Sequence, residues 1–407
     1  MAMSNHSGID RSQNFELRGT MATCAVATMI GALFAGSTVV TPLYVIYKQQ
    51  FGFSQISLTL IYAAYVLGNL AALLWLGRVS DEIGRRRTAI AGMAIAIVSA
   101  AVFLTARGIV SLYAGRILSG LAIGIGAGTG TAWLAELIAK EDKSRATVIA
   151  TSANFIGLGL GALTSGVLAQ YAPASLRLSF IVYLLVLVAV AAMVWFTRET
   201  VSHHQRPSTA QISMRPRLSV PPAIRSQFVA PGVTGFGAMA LVGFYAALAP
   251  SVLAQELQET SHAVAGTLFL ELAVAVAASI VALQSLPSRA AMLWALALMI
   301  PSVALLVAAQ ALGSMTLMIV ATAVCGVAAG LGYRGSLQVV NQIAPQDERA
   351  AVVSSYFVCG FTGNALPVIG VGVISTLASP TIASGMFAVM ISLFAVVALF
   401  FGIKYPQ

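Results

Sequence analysis

The chain has 407 residues, of which 58% are hydrophobic and 9% are charged, whereas about 25% of the residues of a soluble domain are charged. This composition excludes a water-soluble globular fold for most of the chain. A formal net charge of +9 would suit a nucleic-acid-binding protein, but the basic residues lie in short segments between long uncharged runs. We therefore predict that the chain folds in a lipid bilayer and has no nucleic-acid partner.

The uncharged runs have the length of membrane crossings. The last one, residues 350–403, contains 54 residues without a formal charge. One crossing needs about 20 apolar residues, because the hydrocarbon core is about 30 Å thick, and it has to be helical because lipid offers no partners for backbone polar groups. We predict twelve spanning helices, near residues 19–45, 55–76, 88–106, 110–137, 146–170, 178–197, 227–253, 263–284, 290–310, 314–338, 349–376 and 382–403.

The predicted helices divide into two halves of six, which gives an all-α membrane protein with pseudo-symmetric halves. A shift of 204 residues lays Arg145-Ala146 on Arg349-Ala350, each directly after the fourth helix of its half. Parallel repeats of this kind occur in transporters whose halves rock about a central site. The predicted segments are a tail at 1–18, a six-helix bundle at 19–197, a linker at 198–225, a second bundle at 226–403 and a tail at 404–407.

The distribution of basic residues predicts the orientation in the membrane. Of the 22 lysines and arginines, three lie in predicted outer loops (Lys48, Arg107 and Arg177) and two lie inside spans (Arg116 and Arg334), which leaves 17 in the remaining segments. Because cytoplasmic loops carry the excess of lysine and arginine, we predict that both termini and the linker are cytoplasmic. Residues 1–18 are polar and the first apolar run is long enough to remain as an anchor, so we expect a multi-pass protein of the cell (inner) membrane.

The loop between the second and third spans carries the most specific motif. Residues 77–87 read GRVSDEIGRRR, which resembles the G-x-L-x-D-x-x-G-R-R/K loop of the major facilitator superfamily, with Val79 in place of leucine. The resemblance implies the fold of that superfamily and a cytoplasmic gate in which Asp81 docks near Arg349, at the start of the eleventh span. The predicted gate residues are Gly77, Asp81, Gly84, Arg85, Arg86, Glu136, Arg145 and Arg349.

The fourth span carries an arginine one to two turns from its start, followed by regularly spaced glycines. Gly120, Gly124 and Gly128 fall on one helix face, a pattern that lets helix backbones pack closely. Arg116 is a charge inside a span, which usually faces a bundle interior or a wet cavity; the alternative is that its long side chain reaches the outer surface. The segment resembles the R-x-L-x-G-x-G-x-G stretch of the superfamily, which implies a role for Arg116 in proton coupling.

The fifth span bears on the direction of transport. Residues 157–166 read GLGLGALTSG and resemble the G-x-x-x-G-P-x-x-G-G stretch of the exporting branches. Two positions depart from it, because Ala162 replaces proline and Ser165 replaces glycine. Both residues are small, so we expect Gly157, Gly161 and Gly166 to pack against other helices, whereas the bend that proline would give need not be present.

Glu271 is an isolated acid near the middle of the eighth span. Burial disfavours the charged form of a carboxylate, so such a residue can take up a proton from one side and release it to the other. The alternative is a structural glutamate that is permanently protonated or paired with Arg116 or Arg334. Further polar residues inside spans are candidates for a substrate cavity, although each alone is more typical of a helix-to-helix hydrogen bond: Arg334, Asn154, Tyr245, Asn69, Tyr65 and Asn364, with Tyr62 beside them.

The resemblance as a whole implies a twelve-helix solute:proton antiporter. We expect a small-molecule substrate that is exported, the proton as coupling ion, no metal or other cofactor, and a functional monomer. The alternative on the same fold is a proton-coupled importer, and a receptor or scaffold is a further one. An intramembrane enzyme is disfavoured, because no histidine lies in mid-span and no aspartate lies in any span. The charge of the substrate stays open, since Glu271 favours cations and either arginine favours anions.

Overall fold

The computed structural model describes residues 16–77, 79–138, 143–201 and 218–405. These ranges are almost wholly helical. Most of the predicted tail 1–18 and linker 198–225, namely residues 1–15 and 202–217, lie outside the described residues. The helices are α1 (Gly19–Thr38), α2 (Tyr44–Phe51), α3 (Gln55–Leu76), α4 (Val79–Ile83), α5 (Arg85–Leu104), α6 (Ile109–Leu137), α7 (Lys143–Tyr171), α8 (Ser175–Trp195), α9 (Arg225–Ala247), α10 (Ala249–Glu256), α11 (His262–Ala282), α12 (Ser288–Ala311), α13 (Met315–Ile343), α14 (Arg349–Leu377) and α15 (Pro380–Lys404).

Twelve of these helices are long and apolar enough to cross a membrane, which confirms the predicted number over the described part of the chain. They are all the helices except α2, α4 and α10. Two predicted spans were too long. The first, 19–45, ends at Thr38 and is followed by the separate helix α2; Pro42 lies in the break, where its missing N–H and fixed φ disfavour a continuous helix. The seventh, 227–253, ends at Ala247, and Pro250 then occupies the first turn of α10, where proline is tolerated.

The two halves use the same helix pairs. In the first half α3 packs on α6, α5 on α6 and α1 on α7; in the second half α11 packs on α13, α12 on α13 and α9 on α14. A short helix follows the first spanning helix of each half, α2 in one and α10 in the other. The halves meet through two further equivalent pairs, α3 with α14 and α7 with α11. These pairs place α3, α7, α11 and α14 at the boundary between the halves.

We call the end of the bundle that carries Arg85 and Arg349 the inner end, since the charge pattern predicts it to be cytoplasmic, and the opposite end the outer end. The halves are in close contact toward the outer end. A Cβ added to Gly372 of α14 would lie 2.5 Å from Thr59 Oγ1 of α3, and one added to Gly166 of α7 would lie 2.5 Å from the carbonyl oxygen of His262 in α11.

Glycines allow most of the closest helix crossings. A Cβ at Gly120 would lie 1.9 Å from the carbonyl oxygen of Tyr65 in α3, so α3 and α6 can approach this closely only without a side chain there. Gly124 crosses α3 next to Asn69 in the same way. Gly157 and Gly161 allow the crossing of α7 with α1.

Gly128 departs from this pattern. The prediction that it packs against another helix was wrong, because no atom lies within 4 Å of the position that its Cβ would occupy. Between Gly124 and Gly128 the glycine-bearing face of α6 leaves α3 and begins to face an open cavity. The same spacing of glycines therefore allows a close helix crossing at one end and leaves space open at the other.

Candidate functional site

A cavity of about 500 Å³ lies between the two halves, bounded by residues of α1, α3, α6 and α7 on one side and of α9, α11, α13 and α14 on the other. Its lining is apolar and aromatic with scattered amides and hydroxyls, and none of the lining residues carries a formal charge. The aromatic lining residues are Phe34, Tyr62, Tyr65, Phe155, Phe269, Tyr333, Tyr356, Phe357 and Phe361. Concave sites of this size and composition bind small organic molecules.

The cavity reaches the inner end. Its lining includes Ala135 in the last turn of α6 and Thr147 in the second turn of α7. On α6 the lining residues Gly128, Thr131 and Ala135 are exposed, although they lie inside a twelve-helix bundle. The structure is therefore a conformation whose cavity opens at the inner end while the halves are closed together toward the outer end.

Three polar side chains join the halves at the deep end of the cavity, and we call this group the ceiling. The hydroxyls of Tyr62 and Tyr65, both on α3, donate to Asn364 Oδ1 on α14 over 2.8 and 2.7 Å. Asn364 Nδ2 donates to the backbone carbonyl of Met239 in α9 at 3.1 Å. All three ceiling residues line the cavity. Since the two tyrosines share one acceptor across the boundary, the ceiling holds α3 against α14.

Arg116 lies directly behind the ceiling and is 0% exposed. Its guanidinium carbon is 5.6 Å from the ring centre of Tyr62, 5.8 Å from that of Tyr65 and 5.3 Å from that of Tyr44. Its Nε donates to Tyr44 Oη at 2.8 Å, its Nη2 donates to the same oxygen, and its Nη1 donates to the carbonyl of Ser37 at 2.6 Å. The side chain therefore points into the bundle, and the alternative that it extends to the outer surface does not fit this position.

The other predicted cavity residues divide into two groups. Asn69 and Asn154 line the cavity with Tyr65 and Asn364, and Asn154 Oδ1 is buried without a hydrogen-bond partner among the described residues. Arg334 lies elsewhere, because its guanidinium donates to the carbonyls of Leu283, Gln284 and Leu286. That loop follows the C-terminus of α11, where the partial negative charge of a helix end attracts a cation.

Tyr245 also lies outside the lining of this cavity. Its hydroxyl accepts a hydrogen bond from Thr322 of α13 at 3.1 Å, so it joins two helices within the second half. Tyr245 is nevertheless close enough to Glu271 for an electrostatic interaction. Tyr245 therefore has the helix-to-helix hydrogen bond that the sequence analysis gave as the alternative for each predicted cavity residue.

Glu271 lies 9 residues from the start of α11, about 13 Å along the helix axis. It is partly buried, whereas Thr267 and Val274 on the same face are exposed, so it sits at the edge of an exposed stripe of α11. Neither arginine that the sequence offered as a partner is paired with it: Arg116 is bound to Tyr44 and Ser37, and Arg334 to a loop at the inner end. Within the candidate spans of the described chain, the only other acid is Glu136 at the inner end of α6.

A sequence profile of the Major Facilitator Superfamily matches residues 26–366 of this chain. The chain belongs to that superfamily. No curated protein matches the chain. Among solved structures, the human organic anion transporter MFSD10 (TETRAN) is similar, with a TM-score of 0.66 and 17% sequence identity over 94% of this chain and 99% of that chain. At this identity the likeness shows the fold, and with it the pseudo-symmetric twelve-helix architecture.

Members of the Major Facilitator Superfamily are transporters, so the small-molecule partner and the multi-pass membrane location agree with the family, and an enzyme is disfavoured. In the described part of the loop that carried the resemblance, several side chains meet at Arg85. Its guanidinium contacts Asp81 at 2.5 Å, Glu136 at 2.7 Å and Ser80 Oγ at 2.6 Å. The expected docking of Asp81 at Arg349 is not what this superfamily member shows, because Asp81 pairs within its own loop and its side chain is 57% exposed. The physical reason is the open inner end.

Glu199 was missed by the sequence reasoning. Its carboxylate accepts hydrogen bonds from the backbone N–H groups of Arg85 and Arg86 over 2.9 and 3.2 Å, at the N-terminus of α5, where the helix dipole favours an anion. Gly84 precedes α5 with φ of 110°, a conformation that glycine adopts easily. Glutamates after a spanning helix are too common for sequence to single this one out.

Arg145 and the start of α14 at Arg349 are exposed at the same end.

Proposed function

We propose that this protein is a proton-coupled secondary transporter that exports a small organic solute by alternating access. The observation that carries the proposal is the cavity of about 500 Å³ between the halves, open at the inner end and closed toward the outer end. A transporter of this type works by rocking its halves about a central site, so that the site faces one side at a time. The inward-open conformation is the one in which an exporter takes up its solute from the cytoplasm.

The direction of transport is supported by the glycine-rich part of α7, which resembles that of the exporting branches. An importer is the second candidate, and a specific feature favours it: α7 runs without interruption from Lys143 to Tyr171, with Ala162 where those branches have proline. For an importer, the inward-open conformation is the one that releases the solute. The orientation of the vesicles in a transport assay separates the two.

Glu271 is our proposed site of proton coupling. It is the acid nearest mid-membrane, it lies on one of the two helix pairs that join the halves, and a carboxylate in an apolar surrounding is easier to neutralise than one in water. Rocking of the halves changes the packing of α11 against α7, where Gly159 contacts Leu270 and Ala273 next to Glu271. The environment of the carboxylate therefore changes with the conformation, which is what coupling requires. Arg116 has the coupling role that the family resemblance implies, through the ceiling.

The test is proton flux in everted membrane vesicles. Compounds are added to vesicles that hold a respiration-driven pH gradient, with wild type and Glu271→Gln compared. We expect at least one compound to collapse the gradient in wild type and no collapse with the variant. Glu16→Gln, which removes an acid from the exposed pair with Arg18, is the matched control and should behave as wild type.

Other outcomes contradict separate parts of the proposal. If Glu271→Gln collapses the gradient as wild type does, Glu271 is not the coupling site. If labelled solute accumulates only in right-side-out vesicles and is driven there by a proton gradient, the protein is an importer. The solved structure that resembles this chain is described as an organic anion transporter, so organic acids belong in the compound panel.

A further inference from the structure

The cavity and its surroundings are strongly asymmetric in charge. Among the residues that the structure describes, no acidic side chain lines the cavity, and Glu271 lies on another face of α11 from the lining residue Phe269. At the deep end, by contrast, the guanidinium of Arg116 is within 6 Å of the ring centres of two lining tyrosines and bonded to the backbone of the lining residue Ser37. The positive charge of Arg116 therefore lies behind the ceiling. Because the side chain is 0% exposed, little water is near enough to screen this charge.

Arg116 is held without a carboxylate partner among the residues described. Its three hydrogen bonds go to a tyrosine hydroxyl, twice, and to one carbonyl oxygen, whereas a guanidinium has five N–H donors. Buried charges in proteins are normally paired or coordinated. The π faces of three tyrosines offset part of the cost of burial, but none of them supplies a negative charge. The missing anion can be supplied by a solute in the cavity.

We propose that the transported solute is an organic monoanion with an aromatic body, whose anionic group binds at the ceiling formed by Tyr62, Tyr65 and Asn364, in the field of Arg116. This proposal rests on the proposed transport function and names the solute class for the same cavity. The hydroxyls of Tyr62 and Tyr65 are neutral donors that already point toward one shared acceptor oxygen. A carboxylate is a stronger acceptor than an amide oxygen, so it can take over both hydrogen bonds.

The rest of the cavity suits the remainder of such a solute. Below the ceiling the lining is largely apolar and carries several aromatic rings, including the edge-to-face pair of Phe155 on α7 and Tyr333 on α13 with ring centres 6.0 Å apart. Aromatic side chains pack favourably on a flat ring. Transfer of the tyrosine hydrogen bonds from Asn364 to the solute also removes the link between α3 and α14. Binding of the anion would then loosen the outer closure, which connects recognition to the next step of transport.

Binding to the purified full-length chain in lipid nanodiscs tests the solute class without any gradient. The probes are three compounds with one ring system: 2-naphthoate, its neutral amide 2-naphthamide, and the cation 2-naphthylmethylammonium. We expect 2-naphthoate to bind at least about tenfold more tightly than the amide, since one buried charge is enough for that ratio, and the cation to bind more weakly than either. Equal binding of the three, or preference for the cation, would overturn the proposal.

Variants then locate the source of the preference. In Arg116→Lys the preference for the anion should persist at reduced size, and in Arg116→Gln it should disappear while 2-naphthamide still binds. Arg107→Gln, which removes an exposed arginine from the loop before α6, is the control and should leave the ratio unchanged. If Arg116→Gln retains the ratio, the ceiling is not the anion site. If Arg116→Gln does not fold, Tyr62→Phe and Tyr65→Phe decide, since each should lower only the affinity for naphthoate.

Failure of the two proposals can be told apart. Anion-selective binding in nanodiscs, together with a gradient that collapses in Glu271→Gln vesicles as it does in wild type, would retain the solute class and remove the coupling site. Proton-coupled transport of amines or neutral compounds would retain the function and remove the anion.

Discussion

Gly120 and Gly128 look equivalent in the sequence and are not equivalent in the structure. Both lie on α6 four residues from Gly124, one before it and one after it, so both satisfy the pattern for close helix packing. Gly120 is pressed against the carbonyl oxygen of Tyr65, whereas Gly128 faces the cavity with no atom within 4 Å of an added Cβ. At the residue scale, the loss of stability caused by an added methyl group depends on whether a neighbouring backbone lies against it, because backbone does not move easily.

Alanine should therefore destabilise the protein at position 120 and leave its stability unchanged at position 128. Gly120→Ala places a Cβ 1.9 Å from a backbone oxygen, and the forced separation of α3 and α6 should cost about 1–3 kcal/mol or more. Gly128→Ala should leave the stability unchanged within about 0.5 kcal/mol. Thermal unfolding of the detergent-purified proteins, followed by the loss of the monodisperse peak in size-exclusion chromatography, measures the difference. Equal midpoints for the two variants would show that the close crossing is not present.

At the scale of helices, Asn364 is the point where α3, α14 and α9 are joined. Its carbonyl oxygen accepts from two tyrosines of α3 and its amide nitrogen donates to the backbone of α9. Loss of the acceptor of a buried hydroxyl costs about 1–3 kcal/mol. The Asn364 side chain therefore stabilises the contact between the halves toward the outer end more than an apolar residue of its size would. The same helices are also in contact nearer the outer end, through Gly372 and Thr59.

Removal of the Asn364 side chain should shift the protein toward the outward-open conformation. In Asn364→Ala we expect a cysteine at position 59, which is fully buried in this conformation, to react about tenfold faster with a membrane-impermeant maleimide from the outer side, as about 1.4 kcal/mol changes an equilibrium tenfold. Asn341→Ala is the matched control, because Asn341 is exposed and, among the described residues, bonds only to Leu337 of its own helix. A rate that is the same in both variants would show that Asn364 does not hold the closure.

At the scale of the molecule, the two halves are closed together toward the outer end and separated at the inner end. The Arg85 network shows the same state from the loop side. Asp81 and Glu136 both pair with Arg85 inside the first half, and Asp81 remains exposed, as a gate residue is when its partner in the other half is distant. When the inner end closes, the contact between Asp81 and the start of α14 that the family resemblance implies becomes possible.

Accessibility from the two sides of the membrane tests this state and the predicted topology together. The native cysteines Cys24 and Cys359 are exposed and half-buried, and Cys325 is buried, so they are first replaced. In that background Thr131→Cys, which lines the cavity on α6, should react with an impermeant maleimide in everted vesicles and not in right-side-out vesicles. Protection by a transported solute would place that solute in the cavity. Reaction only in right-side-out vesicles would contradict the predicted orientation.

Local sequence was sufficient wherever one residue and its near neighbours decide the outcome. The absence of charge over runs of about 20 residues predicted the twelve spanning helices, because a charged or unsatisfied polar group in lipid is costly at any point of the fold. The loop from Gly77 to Arg87 was recognisable for a related reason, since its glycines and its acid near a helix N-terminus act over short distances. The breaks at Pro42 and Pro250 could have been found in the same way.

The sequence by itself determined that this protein lies in a membrane, how many times its helices can cross it and which superfamily motifs they carry, because hydrophobic length and backbone satisfaction are properties of each segment alone. Only the tertiary structure decided which polar residues meet. Arg116 and Arg334 are both arginines in spans, yet one lies behind the ceiling of a cavity and the other at a helix C-terminus. Their surroundings come from helices far away in the chain, and the energy of a buried charge depends on those surroundings.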